Sequence, residues 1–167
     1  MIHTLRWITL STLSLICLHC GGGQLSHHRY TDDEASYRIG QLSSEWRPID
    51  VDGQNDLAWH HDRQGAVLQV NASCARSLDI PLSSLTNHLL IGFTERSIHR
   101  QERVPLAQRE ALFTELQAKL DGQPRHLALV VLKKDGCVYD FSLIAINKQS
   151  YDMLIAQFKT FLSGFST

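Results

Sequence analysis

The last apolar segment of the chain constrains its fold more than any other feature of the sequence. Large apolar side chains recur there at the three- and four-residue spacing of one helix face: Tyr151, Leu154, Ile155, Phe158, Phe161, Leu162 and Phe165. Asn147 and Ser150 precede them, and both residue types cap helix N-termini. A helix with such a face must be covered, and a sheet is the only large surface that the rest of the sequence offers.

Alternating apolar residues upstream of this helix predict the strands of that sheet. In the segment 66–74, every second residue is apolar: Ala66, Leu68, Val70, Ala72 and Cys74. The residues between them are mostly polar: Val67, Gln69, Asn71 and Ser73. A period of two with one polar face is typical of a half-buried strand. The runs 57–61, 127–132 and 137–146 predict further strands, separated by turns at 62–65 and 133–136.

Segment 110–120 fits two structures. Its Ala, Leu, Glu, Gln and Lys residues are strong helix formers, and Leu112, Leu116 and Leu120 repeat at helical spacing. The same leucines also share one face of a strand. An Asp-Gly turn at 121–122 and an apolar run follow directly, which is the layout of a hairpin. We therefore favour a strand, with a helix as the alternative.

Three other segments complete the predicted order. A strand near Trp46 contains Pro48, which is tolerated at a sheet edge. Pro81 opens a short helix whose apolar residues are Leu82, Leu85, Leu89, Leu90 and Phe93. The mixed charges of 97–104 predict a solvated edge strand or a loop. The order of strands, helix, meandering strands and helix predicts an α+β fold, with an antiparallel meander sheet packed by two helices and the C-terminal helix the longest.

The N-terminal segment has the layout of a targeting signal. Arg6 precedes twelve uncharged residues, 7–18, whereas a membrane-spanning helix needs about 20. The segment ends at Cys20, which three glycines follow. This junction resembles the end of a bacterial lipoprotein signal, which implies cleavage of residues 1–19 and lipidation of Cys20. Because Gly21 and not Asp follows the cysteine, the resemblance favours the periplasmic face of the outer membrane; an ordinary secreted protein is the alternative.

Composition and periodicity define the expected domain. Residues 20–43 are polar and small and show no sustained period, which predicts a flexible tether. Residues 44–166 then form a single α+β domain. With 43% hydrophobic residues and a net charge of −1, the chain can build one core and has no general electrostatic attraction for nucleic acid.

Two cysteines lie inside the predicted domain. Cys74 and Cys137 each sit at the apolar parity of a predicted strand, so the two can meet, and an oxidising periplasm would join them. We predict a structural disulfide. The alternative is a catalytic cysteine with a histidine partner, either Cys137 with His126 or Cys74 with His99.

No motif in the sequence predicts a cofactor or a metal. G-x-S-x-G, H-E-x-x-H, P-loop and dinucleotide patterns do not occur. His60, His61 and Asp62 form the only histidine cluster in the predicted domain, but neighbours on a strand point to opposite faces. A surface hydrogen bond to Asp62 is therefore favoured over a metal site.

The C-terminal aromatic stripe has two interpretations. Its residues Tyr151, Leu154, Phe158 and Phe161 are candidates for the lining of a lipid pocket between helix and sheet. The same residues also need no explanation beyond a hydrophobic core, and the core is the favoured interpretation.

The element order, the lipoprotein-like start and the closing aromatic helix resemble small periplasmic lipoproteins of the PsbP-like or DcrB-like type. Residues 132–140 (LKKDGCVYD) also resemble a segment of uncharacterised bacterial lipoproteins. The resemblance covers about residues 45–166 and implies an α+β fold. That fold hosts photosystem subunits, adaptors and proteins of unknown role, so it implies no single function.

We expect a lipid-anchored, non-catalytic accessory or binding protein of the bacterial cell envelope. It would serve a transport or assembly system through an unidentified protein partner. The second expectation is a carrier that binds a lipid or another apolar ligand between the sheet and the C-terminal helix. The third is a cysteine hydrolase, which requires a free thiol.

Overall fold

The computed structural model describes residues 23–50, 55–74 and 79–167. The predicted signal peptide and Cys20 lie outside the described residues. The described elements, in chain order, are β1 (Gln24–Ser26), β2 (Arg29–Thr31), β3 (Ser36–Arg38), β4 (Trp46–Ile49), β5 (Leu57–His61), β6 (Ala66–Ser73), α1 (Leu82–Leu89), β7 (Phe93–Leu106), β8 (Arg109–Leu120), β9 (Gln123–Lys134), β10 (Cys137–Ala145) and α2 (Lys148–Ser163).

The strands form two antiparallel sheets. A small sheet has the order β1-β2-β3, and a seven-stranded sheet has the order β4-β5-β6-β10-β9-β8-β7. We name the two faces of the large sheet after the helices on them, the α2 face and the α1 face. The predicted α+β fold with two helices and the longest helix at the C-terminus is confirmed.

Three tight hairpins build the second half of the large sheet. Two-residue turns at 107–108, 121–122 and 135–136 join β7 to β8, β8 to β9 and β9 to β10, and all six turn residues have positive φ. This conformation twists a hairpin in the direction that the strands require, and Asp-Gly adopts it readily. The strand prediction for segment 110–120 is confirmed, because β8 pairs with β7 on one side and β9 on the other. Pairing on both edges outweighs its helical propensity.

The two edges of the large sheet are the predicted ones. β4 contains Pro48 and pairs only with β5, at one edge. The mixed-charge segment 97–104 lies in β7, at the other edge, where two irregularities interrupt the register. Such irregularities and interleaved charges hinder edge-to-edge pairing between molecules.

The first helix is shorter than its apolar pattern predicts. α1 ends at Leu89, and Phe93 opens β7 instead of continuing the helix. Gly92 has φ of +90°, a conformation that favours glycine and turns the chain into the strand. Leu85 of α1 packs against Val131 and Val138 on the α1 face.

The predicted tether is wrong over most of its length. Residues 24–38 form the small sheet, in which Tyr30 pairs with Tyr37 and both are buried. The ring of Tyr37 lies 5.7 Å from that of Tyr139 and 5.9 Å from that of Phe165, so the small sheet belongs to the main core. Strands of three residues are too short to show a period, which is why the sequence pattern missed them.

The segment that follows β3 contacts the C-terminal end of α2 and the residues after it. Backbone hydrogen bonds join Arg38 to Ser166 in both directions, at 2.7 and 3.2 Å, and the Gly40 N–H donates to the Phe161 carbonyl at 3.1 Å. A Cβ at Gly40 would lie 2.3 Å from that carbonyl oxygen. Glycine is required here because the two backbones approach so closely.

Candidate functional site

The structure joins Cys74 and Cys137 in the predicted disulfide. Cys74 directly follows β6 and Cys137 opens β10, and the register of these strands sets Ser73 opposite Val138. The cysteines are therefore neighbours across the strand pair. Because both sulfurs are bonded, neither is available as a nucleophile.

The histidines that would partner a catalytic cysteine lie elsewhere. His126 pairs with Ala145, at the opposite end of β10 from Cys137, about 26 Å along the strand. His99 is on β7, which is separated from β6 by β10, β9 and β8. The structure brings together neither of the two cysteine–histidine pairs considered from the sequence.

The cluster His60, His61 and Asp62 is divided between the two sides of β5. His60 Nδ1 lies 2.8 Å from Asp62 Oδ1 at the surface, as predicted. His61 is buried, with its ring 5.1 Å from that of Trp46 and edge-on to it. Within 23–50, 55–74 and 79–167, no group of three or more acidic, histidine or cysteine side chains could hold a metal ion.

The four candidate pocket residues lie in the hydrophobic core of the α2 face. Tyr151, Leu154, Phe158 and Phe161 are each at most 3% exposed. Phe161 contacts the ring of Trp59 at 5.7 Å between centroids. This is the favoured of the two sequence interpretations, in which the stripe closes the core against the sheet.

An apolar groove lies next to these residues, beside the second half of α2. It has a volume of about 310 Å³. Its apolar lining comes from three strands and the helix: Val104, Pro105, Leu106, Phe113, Val130 and Leu162. Lys159 Nζ stands 5.7 Å from the centre of the Phe113 ring, beside the apolar surface. The other charged residue of the lining, Glu102, is paired with Arg100. The sequence did not reveal this groove because its lining is assembled by strand pairing.

A wider and more acidic cleft of about 550 Å³ separates the small sheet from β4 and β5. Asp56 is one of the carboxylates that line it, and it accepts hydrogen bonds from the Tyr37 hydroxyl at 2.8 Å and the Ala72 N–H at 2.9 Å. Burial raises the pKa of Asp56 in spite of these bonds. Asp56 thus ties the small sheet to β6.

Asp32 lines the same cleft and organises the turn between β2 and β3. It accepts hydrogen bonds from the N–H groups of Glu34 and Ala35, at 2.8 and 2.7 Å, and from the Tyr30 hydroxyl at 2.9 Å. Burial alone would raise the pKa of Asp32, but these donors outweigh it and hold the pKa below its usual value. The inner carboxylates of the cleft therefore have structural roles.

Comparisons with known proteins bear on the fold. No protein-family model matches the chain, and no curated protein matches its sequence. Among solved structures, the chain is similar to cyanobacterial PsbP (CyanoP) from Synechocystis sp. PCC 6803, with a TM-score of 0.59 and 16% identity over 92% of this chain and 97% of that one. It is also similar to LpqN, involved in cell envelope biogenesis of Mycobacterium tuberculosis, with a TM-score of 0.56 and 13% identity over 80% of this chain and 85% of that one.

The protein has a PsbP-like fold. The PsbP-like resemblance found in the sequence is thereby confirmed, and at these identities it establishes the fold alone. In the part of the chain that the structure describes, no helix combines the length and apolarity that crossing a membrane demands.

Proposed function

We propose that the protein is a non-catalytic accessory or binding protein of the bacterial cell envelope, anchored through a lipid on Cys20 to the periplasmic face of the outer membrane. It contacts a protein partner of a transport or assembly system. The observation that carries the proposal is the disulfide between Cys74 and Cys137.

The disulfide supports export from the cytoplasm. Disulfides persist in oxidising compartments and are rare in the cytosol. The two cysteines are 63 residues apart in sequence, and closing a loop of that length stabilises a fold by about 4 kcal/mol in the loop-entropy treatment. The protein gains this stability only in a compartment where the two cysteines are oxidised to a disulfide. LpqN, which shares the fold, is described as involved in cell envelope biogenesis, and this supports the same compartment.

A non-catalytic role is supported by how the site candidates are used. The bonded cysteines have no free thiol, and the inner carboxylates of the acidic cleft accept hydrogen bonds that hold the small sheet. Because these groups stabilise the fold, we assign the protein a binding role.

The proposal is tested by native mass spectrometry of the full-length gene product, purified from its own envelope. We expect a mature mass that begins at Cys20, carries acyl chains and is two hydrogens short of the reduced protein. Cys20→Ser is the control, and we expect it to lose the acyl mass and to leave the membrane fraction. An unlipidated native protein contradicts the anchor, and two free thiols contradict the disulfide argument. Crosslinking in intact envelopes then tests for a stoichiometric partner.

The apolar groove beside α2 favours a second candidate, a carrier of an apolar ligand. Its volume of about 310 Å³ is at the lower end of the range typical of small-molecule sites, about 300–1,000 Å³. Lys159 beside Phe113 suits an amphiphile with an anionic head group. A fatty-acid-sized adduct in the same mass spectrum would favour this candidate. Lys159→Gln should weaken its retention, whereas Lys148→Gln, at the other end of α2, should not.

A further inference from the structure

The α1 face contains a half-buried carboxyl group, Asp140. Strand alternation in β10 directs it to this face, where its backbone neighbours are Asn71 of β6 and Val131 of β9. The Asn71 side-chain amide donates a hydrogen bond to Asp140 Oδ2 over 3.4 Å, which is long for such a bond. A single weak donor compensates little of the cost of burying a carboxylate.

A cavity of about 160 Å³ opens between Asp140 and α1. Its polar lining is Asn71, Ser73, Asp140 and, from the helix, the exposed His88. Leu85 and Leu89 of α1 add apolar wall. At about 30 Å³ for each water-sized group, this volume holds about five heavy atoms.

No lysine or arginine is among the described residues that line the cavity. The nearest strand does carry a lysine, but Lys133 Nζ is 2.9 Å from Asp79 Oδ1. The charged side chain that does act on Asp140 is Asp56, and its charge is negative like that of an ionised Asp140. Burial first, and Asp56 second, raise the pKa of Asp140 to about 7, while Asn71 lowers it. The Asp140 carboxyl group is therefore partly ionised near neutral pH.

We propose that this cavity binds a primary ammonium group on a short apolar stem, with Asp140 as its counter-ion. Two of the three N–H donors can be accepted by Asp140 and the third by Asn71 Oδ1 or Ser73 Oγ. The stem lies against Leu85 and Leu89. Both n-butylammonium and a lysine side chain have five heavy atoms. The ligand is therefore either a free amine or a lysine presented by a peptide. This inference concerns the α1 face and does not depend on the lipid anchor.

The test is a calorimetric titration of the full-length protein with n-butylammonium chloride. We expect saturable binding at pH 8 and about tenfold weaker binding at pH 6, because protonation of Asp140 competes with the cation. Uncharged 1-butanol is the matched ligand control and should bind at least tenfold more weakly. Equal binding of the amine and the alcohol, or no saturable heat with the amine at pH 8, overturns the inference.

Two variants locate the site. Asp140→Asn keeps the shape of the side chain and should weaken amine binding at least tenfold, whereas Asp79→Asn, an exposed carboxyl paired with Lys133, should leave it unchanged. Should Asp140→Asn fail to fold, Ser73→Leu narrows the cavity while retaining Asp140, and it should also lose binding. Unchanged affinity in either folded variant contradicts the proposed position. An acetylated, amidated Gly-Lys-Gly peptide that competes with the amine identifies the lysine source, and one that does not compete identifies a free amine.

Discussion

The two faces of the large sheet are built in different ways. The α2 face is covered by a sixteen-residue helix and by the small sheet, and Leu68, Phe141 and Leu143 are fully buried there. The α1 face is covered by an eight-residue helix over two small apolar clusters. Between β6 and β10 this second face is polar: Gln69 bonds to Ser142, and Asn71 bonds to Asp140. The core of the α2 face is apolar and closely packed, whereas the α1 face includes polar side chains and a half-buried carboxyl group.

The largest expected loss of stability comes from a substitution in the core of the α2 face. Phe158 is fully buried under α2, and Phe158→Ala should lower the free energy of unfolding by about 3–5 kcal/mol, because it leaves a cavity in close-packed surroundings. Urea denaturation measures the change. Met153 is on the same helix but half exposed, so Met153→Ala is the control and should change stability by less than about 0.5 kcal/mol. Equal effects of the two substitutions would contradict the asymmetry within α2.

The second effect concerns the bond between β6 and β10. Replacing Cys74 and Cys137 together by serine should cost about 2–4 kcal/mol, because the unfolded chain gains the conformational freedom of the opened loop. The change is measured by thermal unfolding of both proteins under non-reducing conditions. Adding a thiol reductant should destabilise the wild type by a similar amount and leave the double variant unaffected. A variant as stable as the wild type would show that the bond contributes nothing to folding.

The third prediction concerns how the stability of the protein depends on pH through Asp140 on the α1 face. Asp140 has a pKa of about 7 in the folded protein against an ordinary 3.8, so between these values the native state binds more protons than the unfolded state. Stability contributed by this group is therefore complete below about pH 4 and is lost as pH rises to about 7. Asp140→Asn removes this dependence. It should be more stable than the wild type by about 2–4 kcal/mol at pH 8 and equally stable at pH 4.

Urea denaturation of the wild type and Asp140→Asn across this pH range measures the difference. Asp79→Asn is the matched control, since Asp79 is on the surface and its pKa is lowered by Lys133. A difference between wild type and Asp140→Asn that stays constant with pH would contradict the titration of Asp140 in this window.

The smallest expected change in stability concerns the N-terminal caps of the two helices. The Ser150 N–H donates to Asn147 Oδ1 at 2.9 Å at the start of α2, whereas Pro81 at the start of α1 makes no side-chain cap bond. Asn147→Ala should therefore cost about 1 kcal/mol, measured by thermal unfolding. Asn87→Ala, at an exposed position late in α1, should have little effect. A loss at Asn87 as large as that at Asn147 would rule out capping as the cause.

The sequence predicted those elements whose signal is local or repeated. The apolar stripe of α2 extends over four turns, and the Asp-Gly pairs mark two of the hairpins. The small sheet was missed because β2 and β3 each bury a single side chain, Tyr30 and Tyr37. No pattern can reveal one buried residue in three. Its stability comes from contacts with Tyr139 and Phe165, which are more than a hundred residues away.

The cavity at Asp140 was missed for a related reason. In segment 137–146, Asp140 falls on the strand face opposite the one that carries Tyr139, Phe141 and Leu143, and that face mixes polar and apolar residues, so the sequence did not mark Asp140 as partly covered. α1 packs on β8 and β9, and its Leu85, His88 and Leu89 wall the cavity beside Asp140, which makes that position half-buried. A sequence pattern predicts which face a side chain joins, but it does not predict how much of that face a second element covers.

The backbone hydrogen bonds between Arg38 and Ser166 tie the segment after α2 to the last residue of β3. A local opening that breaks this bridge exposes the amides of both residues to solvent together. A truncation that removes Ser166 also removes the acceptor of the Arg38 amide, so a change after α2 acts on the edge of the small sheet.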